Sequence, residues 1–444
     1  MEKKGIPSVL ETFDDEGIKG IATESFMQQG IPEIRQVFTP PDTSLTSLTE
    51  YIPQFIDALT KPLTEEEKKS GIYSPPRPPR IAMTGSYNAV QKYFEGKLRR
   101  TPHGGPWAEM TDGLPVTPPT EEAVAEMLKG SSHSPDEIIE FGGLMSGKHI
   151  ATVEKVAVNA VMAGCKPDYF PVVLAIAETG ACVGYPGDSS FGHMFVVSGP
   201  IAREIGMNSG FSFLTPGNPA NTSLQRACTL MGINLGKCRH GINCLERTGT
   251  MYWGTIFAEN EESPWELLNE HFGYKTEESI LMAWGGKIQL NPFQNIEVKS
   301  VETLKDNQPG SPEHALAALS TITNENGALV LFTPDTARLW VKEYGFKTMK
   351  QLQDYVWDNV TRTRGEWVRN YWFWSHHRDV GIRQRERGSR MLNSDHLDLP
   401  DDALVPMFNS PEDITIIVAG GSGDAWTWGG SFGKPRIYSI DKWR

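Results

Sequence analysis

Val153-Glu154-Lys155-Val156-Ala157-Val158-Asn159-Ala160-Val161-Met162-Ala163-Gly164-Cys165-Lys166-Pro167-Asp168 is the stretch whose reading decides the fold. From Val153 to Ala163 it is apolar nearly all round, which marks a buried helix rather than a surface one. Gly164 stops that helix, and Cys165-Lys166-Pro167-Asp168 opens a second apolar helix through about Ala177. The two predict an αα-hairpin turning at Cys165. The hairpin lies within a window, 142–260, that holds all five cysteines and three places where a Gly-rich or Asn-rich turn opens a helix. Chemistry is expected to centre there.

Working outward, 191–198 reads as a buried strand with His193 inside it, and Gly199-Pro200 then opens a short helix, since proline suits the first helical position. A helix start at the carboxyl end of a strand favours an anion or carboxylate. Gly199 and Arg203 are therefore substrate-binding candidates. Thr215-Pro216-Gly217-Asn218-Pro219-Ala220-Asn221-Thr222-Ser223 repeats the idea, with Asn221 or Thr222 as cap. Asn218, Asn221 and Ser223 are substrate-binding candidates too. The alternative for both helix starts is capping with no ligand. A strand over 252–258 ends in Glu259-Asn260-Glu261-Glu262, where Glu259 and Glu261 are acid–base candidates or parts of a solvated turn. Another strand spans 279–284.

Beyond about residue 300 the pattern is α/β again. A strand at 328–332 leads into Thr333-Pro334-Asp335 and a helix, a further helix covers 349–360, and a strand at 414–419 precedes Gly420-Gly421-Ser422-Gly423. Gly420 and Gly421 would let backbone approach a ligand. The turn lacks the GxGxxG spacing and any P-loop lysine, so no dinucleotide is expected. Towards the N-terminus, helices are expected at 17–30 and 45–59, strands at 34–38 and 81–86, and a Pro-rich linker at 74–79. The predicted class is α/β, multidomain, with mixed or mostly parallel sheets flanked by helices. Its segments are 1–80, a small α/β unit and linker; 81–300, the central domain; and 301–444, a domain with an Arg/Trp-rich segment.

Within the hairpin, Lys155 and Asn159 are four apart and share a face beside Glu154. They form either a narrow solvated stripe or a polar strip directed into a cleft, where they would orient substrate, Lys155 with a catalytic part. Cys165 precedes a helix N-terminus and adjoins Lys166. Both features lower a thiol pKa, which makes it the nucleophile candidate against the commoner fate of a packed cysteine. A divalent metal is possible. Its candidate ligands are Cys238, His240, Cys244 and His193, with His376 and His377 as others, although the C-x-H-x3-C spacing is not a usual one.

The chain of 444 residues carries a net charge of -13, which argues against general nucleic-acid affinity because phosphate binding needs a basic face. The arginines and tryptophans of 362–390 fit a subunit interface better, so a homo- or hetero-oligomer is expected. No apolar run approaches the roughly 20 residues that span a bilayer. With no secretory h-region and an odd cysteine count, a cytoplasmic location is expected.

Two regions carry a resemblance. Thr152-Val153-Glu154-Lys155 through Cys165-Lys166-Pro167, then Ser198-Gly199-Pro200-Ile201, Gly217-Asn218-Pro219-Ala220-Asn221 and Ala258-Glu259-Asn260-Glu261-Glu262-Ser263-Pro264-Trp265, and finally Ile417-Val418-Ala419-Gly420-Gly421-Ser422-Gly423, are similar to the long members of the UGSC family of (seleno)proteins. The likeness covers 80–435, and 5–60 look like the latter part of the short members. The motif that names the family, selenocysteine or cysteine followed by Gly-Ser-Cys, is absent. The resemblance implies an enzyme and a small UGSC-like subunit as partner. With the residues above, the expectation is an enzyme acting on a small polar or carboxylated molecule by hydrolytic or lyase chemistry. Its alternatives are a metal-dependent enzyme, with oxidoreductases included, and a non-catalytic scaffold subunit.

Overall fold

The computed structural model describes residues 6–14, 33–40, 47–69, 79–96, 98–100, 106–140, 150–181, 191–215, 217–236, 254–287, 291–292, 311–320, 327–366, 398–408, 410–421, 426–431 and 434–444, with residues 19, 22 and 26. It is α/β, with mixed sheets and helices packed on them. The first unit pairs β1 (Val9–Phe13) with β2 (Arg35–Thr39) in parallel, followed by α1 (Ile52–Thr60). Arg35 ties it together, meeting Glu67 at 2.6 Å and the carbonyls of Lys61 and Pro62 at 2.8 Å. That ion pair holds the Glu67 carboxyl down at about 2. β1 is an element the sequence reading missed, and the helix expected at 17–30 and the linker at 74–79 fall largely or wholly outside the described residues. The strand expected at 81–86 is irregular chain that leads into α2 (Tyr87–Glu95).

Two short antiparallel pairs follow, β3 (Leu98–Arg100) with β4 (Pro106–Ala108), and, after α3 (Glu121–Leu128), β5 (Ile138–Glu140) with β6 (Ile150–Thr152). The helical hairpin is then found as expected, α4 (Val153–Ala163) and α5 (Phe170–Glu178). Thr152 caps α4, and Gly164 ends it in the left-handed region at φ 81°.

One eight-stranded sheet organises the rest. In chain order its first half holds β7 (Phe191–Ser198), α6 (Pro200–Glu204), α7 (Pro219–Asn234), β8 (Gly254–Ala258), α8 (Leu268–His271) and β9 (Ile280–Lys287). After β10 (Asn291–Pro292) and α9 (Pro312–Leu319), the second half holds β11 (Gly327–Phe332), α10 (Pro334–Leu339) and α11 (Met349–Asn359). The small pair β12 (Thr361–Thr363) and β13 (Leu404–Pro406) comes next, then β14 (Ile414–Val418), β15 (Trp426–Ser431) and β16 (Arg436–Ser439). The order is β14-β11-β15-β9-β7-β8, so the segments before and after residue 300 share this sheet.

The two halves are related by an approximate two-fold. β7 is parallel to β8 and antiparallel to β9; β11 is parallel to β14 and antiparallel to β15. Gly192 faces Gly286 as Gly327 faces Ser431, and the halves join at the pair Ser431 and Gly286, which the exchange maps onto itself. At the far end Val197 faces Ala258 as Phe332 faces Val418. The sequence follows suit. Ser198-Gly199-Pro200-Ile201-Ala202-Arg203 matches Thr333-Pro334-Asp335-Thr336-Ala337-Arg338 in its hydroxyl, alanine and arginine.

Strand alternation sorts the side chains into three cores. Phe195, Val197, Ile256, Ala258, Leu281 and Ala283 face α4, α5 and α7. Ala328, Val330, Phe332, Ile414, Ile416 and Val418 face α10 and α11. The intervening residues of both halves, including Met194, Val196, Phe257, Met282, Leu329, Leu331 and Ile417, meet in one shared core. The sheet must therefore curl, and its two edge strands touch beyond their carboxyl ends, where the Asn260 amide donates to the Val418 carbonyl at 2.8 Å.

Candidate functional site

The site is built where that curl closes. Ser198 continues the inward-facing series Met194, Val196, and Glu259 continues from Phe257, so both side chains point into the shared core's rim. Glu259 is only 4% exposed. Its Oε2 accepts from Ser198 Oγ at 2.6 Å and from the Leu268 amide at 2.9 Å. Its Oε1 is buried with no hydrogen-bond partner among the described residues. Burial pushes the carboxyl up to about 8; the bonds from Ser198 and Leu268 pull the other way, and the charge of Glu270 adds to the rise. A carboxyl in this state keeps its proton at neutral pH. Ser198 is oriented in turn by the Asn269 amide at 3.2 Å. Asn269 is fully buried, and its Nδ2 donates to the carbonyls of Lys275, Thr276 and Glu278.

Around this carboxyl the chain gathers several predicted residues. Asn260 Nδ2 donates to the carbonyls of Ser209 and Gly420, and Gly420 N donates to Ser209 O at 2.7 Å. The connection from α6 to α7 is held by amides. Asn221 accepts from the Asn208 amide at 3.0 Å and donates to the carbonyls of Asn208 and Phe213, while Asn218 accepts from Asn208 and donates to the carbonyls of Ser212 and Thr215. Phe213 packs against Phe257, and a side chain at Gly420, where φ is 99°, would meet Phe213. The exposed ring of Phe211 covers Gly421. On the rim, Arg203 pairs with Glu261 at 2.6 Å, and Arg338 pairs with Glu262 at 3.2 Å and Asp335 at 2.7 Å. Two arginines matched by the two-fold thus hold consecutive glutamates on either side of the closure.

Other expectations are corrected. The Cys165 thiol is not lowered: it is buried, donates to the Ser223 carbonyl at 3.4 Å, and burial raises it to about 12, so no thiolate forms. The adjoining helical turn, Pro167–Tyr169, does not outweigh that loss of solvation. The helix start at Gly199 is already satisfied, because Ser279 Oγ accepts from the Ile201 amide at 3.1 Å. Gly199 is needed for close approach: a Cβ there would lie 2.4 Å from the Glu278 carbonyl oxygen. Asn218 makes no side-chain cap bond for α7, and Ser223 Oγ donates back to the Pro219 carbonyl at 2.7 Å. Asn218 holds the loop, and Ser223 bonds within α7.

Lys155 and Asn159 do line a cleft, as one of the two readings had it, but with Asn234 and apart from Glu259. His193 is held down at about 4 by burial and the nearby Arg436 charge, so its ring is neutral. Among the described residues no group of three His, Cys, Asp or Glu side chains is placed to hold a metal. Cys238, His240, Cys244, His376 and His377 lie outside the described residues, as does most of the Arg/Trp-rich segment. No helix among the described residues is long and apolar enough to cross a membrane.

Sequence reasoning missed Ser198, Asn269 and Arg338. The signal for the first and last was the hydroxyl-x-x-x-Ala-Arg run that follows both β7 and β11. No family model, no curated protein and no solved structure matches the chain.

Proposed function

We propose that the chain is an acid–base enzyme acting on a small carboxylated molecule at the closure of the sheet, by hydrolytic or lyase-type chemistry. The observation that carries the reading is the Glu259 carboxyl, buried at a strand's carboxyl end with one oxygen bonded to Ser198 and the Leu268 amide and the other unpartnered among the described residues. Such a group donates a proton at neutral pH and accepts one when ionised, which is the requirement for proton transfer near pH 7. Arg203 and Arg338 pair with Glu261 and Glu262 of the turn that follows Glu259, and a guanidinium suits a carboxylate through paired N–H donors. Glu261 and Glu262 occupy them in the present state, so an incoming carboxylate displaces those side chains.

The test is turnover of a panel of small mono- and dicarboxylic acids, amides and esters by the purified chain, followed by NMR. The expected outcome is a substrate whose turnover falls at least about 100-fold in Glu259→Gln. Its rate should also decline as pH rises through about 8, where the acid is lost. A substrate turned over equally by Glu259→Gln overturns the role given to that residue.

A further inference from the structure

A concavity lies away from Glu259, against α4 and the end of α7. It encloses about 230 Å3, and Met110, Lys155, Asn159, Met162, Asn234 and Leu235 are among its walls. Lys155 and Asn159 stand one helical turn apart on α4 and share a face. Asn159 is 2% exposed. Asn234 Nδ2 donates to Asn159 Oδ1 at 2.9 Å and to the Met110 carbonyl at 3.2 Å, and Asn159 Nδ2 donates to the Lys155 carbonyl at 2.9 Å. These bonds use both N–H groups of Asn234 and one of Asn159. A primary amide has two, so one N–H of a buried amide in the wall is left without a partner among the described residues. Lys155 is exposed, and its ammonium has no ion-pair partner among the described residues.

A mainly apolar cleft that counts among its lining residues a lysine without an ion-pair partner among the described residues and a buried amide with a spare N–H fits a carboxylate on a hydrocarbon body. The ammonium and amide take the carboxylate, and the thioether and aliphatic side chains take the chain. The volume lies below the roughly 300 Å3 at which typical ligand pockets begin, which limits the body to a few carbons. We propose that this cleft is a binding site for a short-chain monocarboxylate, with its carboxylate towards Lys155 and Asn159 and its hydrocarbon against Met110, Met162 and Leu235. The site stands independently of Glu259, since none of its wall residues bonds to Glu259, Ser198 or Asn269.

The experiment uses hexanoate and 1-hexanol as probes of the full chain, with saturation-transfer NMR for contact and titration calorimetry for affinity. Hexanoate is expected to bind at least about tenfold more tightly than hexanol, the size of one charge-assisted hydrogen bond. Lys155→Met should remove that preference and leave hexanol binding unchanged. Leu235→Trp, checked for folding by circular dichroism, should abolish binding of both. Equal affinity for the two probes, undiminished hexanoate binding in Lys155→Met, or binding retained in folded Leu235→Trp overturns the proposal. Hexanoate that fails to bind at millimolar concentration overturns it as well. Failure of this site and failure of the acid–base reading are distinguishable, because this test reads how hexanoate binding depends on Lys155 and Leu235 and the other reads turnover in Glu259→Gln.

Discussion

The two halves of the large sheet share one strand plan and differ at the place where chemistry would sit. In the first half Ser198 ends β7 and Glu259 follows β8; in the second, Thr333 follows β11 and Ala419 follows β14. The backbones match there, with the Glu259 amide donating to Val197 O and the Ala419 amide to Phe332 O, both at 2.9 Å. Thr333 caps α10 through the Thr336 amide, whereas Ser198 donates to a buried carboxyl. A repeated scaffold therefore carries a titratable group on one side only. Stability alone would favour the alanine version, because a buried carboxyl with an unpartnered oxygen is costly.

The largest effect expected from this asymmetry is a pH dependence of stability. The folded Glu259 carboxyl keeps its proton up to about 8, while an unfolded glutamate releases it near about 4.3. The native state thus binds the extra proton throughout that window. Stability is full below the lower value, declines as pH rises through the window, and levels off above the upper one. The loss is at most roughly 5 kcal/mol. Urea denaturation at pH 5 and pH 9 should show that decline in the parent chain and a much smaller one in Glu259→Gln. Parallel declines in the two proteins would show that Glu259 is not its source.

Next in size is a backbone contrast. Gly199 and Pro334 occupy matching places, but Gly199 has φ 103° and its absent side chain leaves room for the Glu278 carbonyl. Gly199→Ala should cost about 3 kcal/mol or more. Pro334→Ala, at a first helical position, should cost less than about 1 kcal/mol. Equal losses in thermal melts would break the claim that the halves differ in how tightly their helix starts are packed.

The smallest effect on stability should come from the matched arginines. Their ion pairs with Glu261, Glu262 and Asp335 are exposed, and such pairs are worth about 1 kcal/mol or less. Arg203→Ala and Arg338→Ala should leave the melting transition nearly in place while raising KM for a carboxylated substrate. A large loss of stability in either would assign the pair to the scaffold instead.

The elements of this sheet were legible because each strand is a short apolar run ended by a turn signal. β7, β11 and β14 fall within one residue of their expected bounds, as does α4, whose all-round apolar surface announced its burial. Pairing was not legible. Nothing local in Val153–Ala163 or in the strands says that β9 and β15 lie side by side or that the sheet curls until Asn260 meets Val418. Those contacts depend on chain segments far apart in sequence. The gathering of Glu259, Asn221 and Gly420 was half visible as turns after strands, but their bonds were not: Asn221 and Asn218 spend their amides on loop backbone. Cys165 misled for a physical reason. A helix start and a neighbouring lysine lower a thiol only while solvent or a donor stabilises the thiolate, and burial against a carbonyl oxygen reverses the sign.

Everything proposed for the closure requires Glu259 to hold a proton at neutral pH, and infrared difference spectroscopy between the parent and Glu259→Gln across a pH series tests that directly. The expected result is a protonated-carboxyl stretch in the parent at pH 7, absent from the variant and lost as pH rises through about 8. A Glu259 signal already that of a carboxylate at pH 6 would contradict it. The group would then be an ordinary ionised side chain, and the difference between the two halves would carry no acid–base meaning.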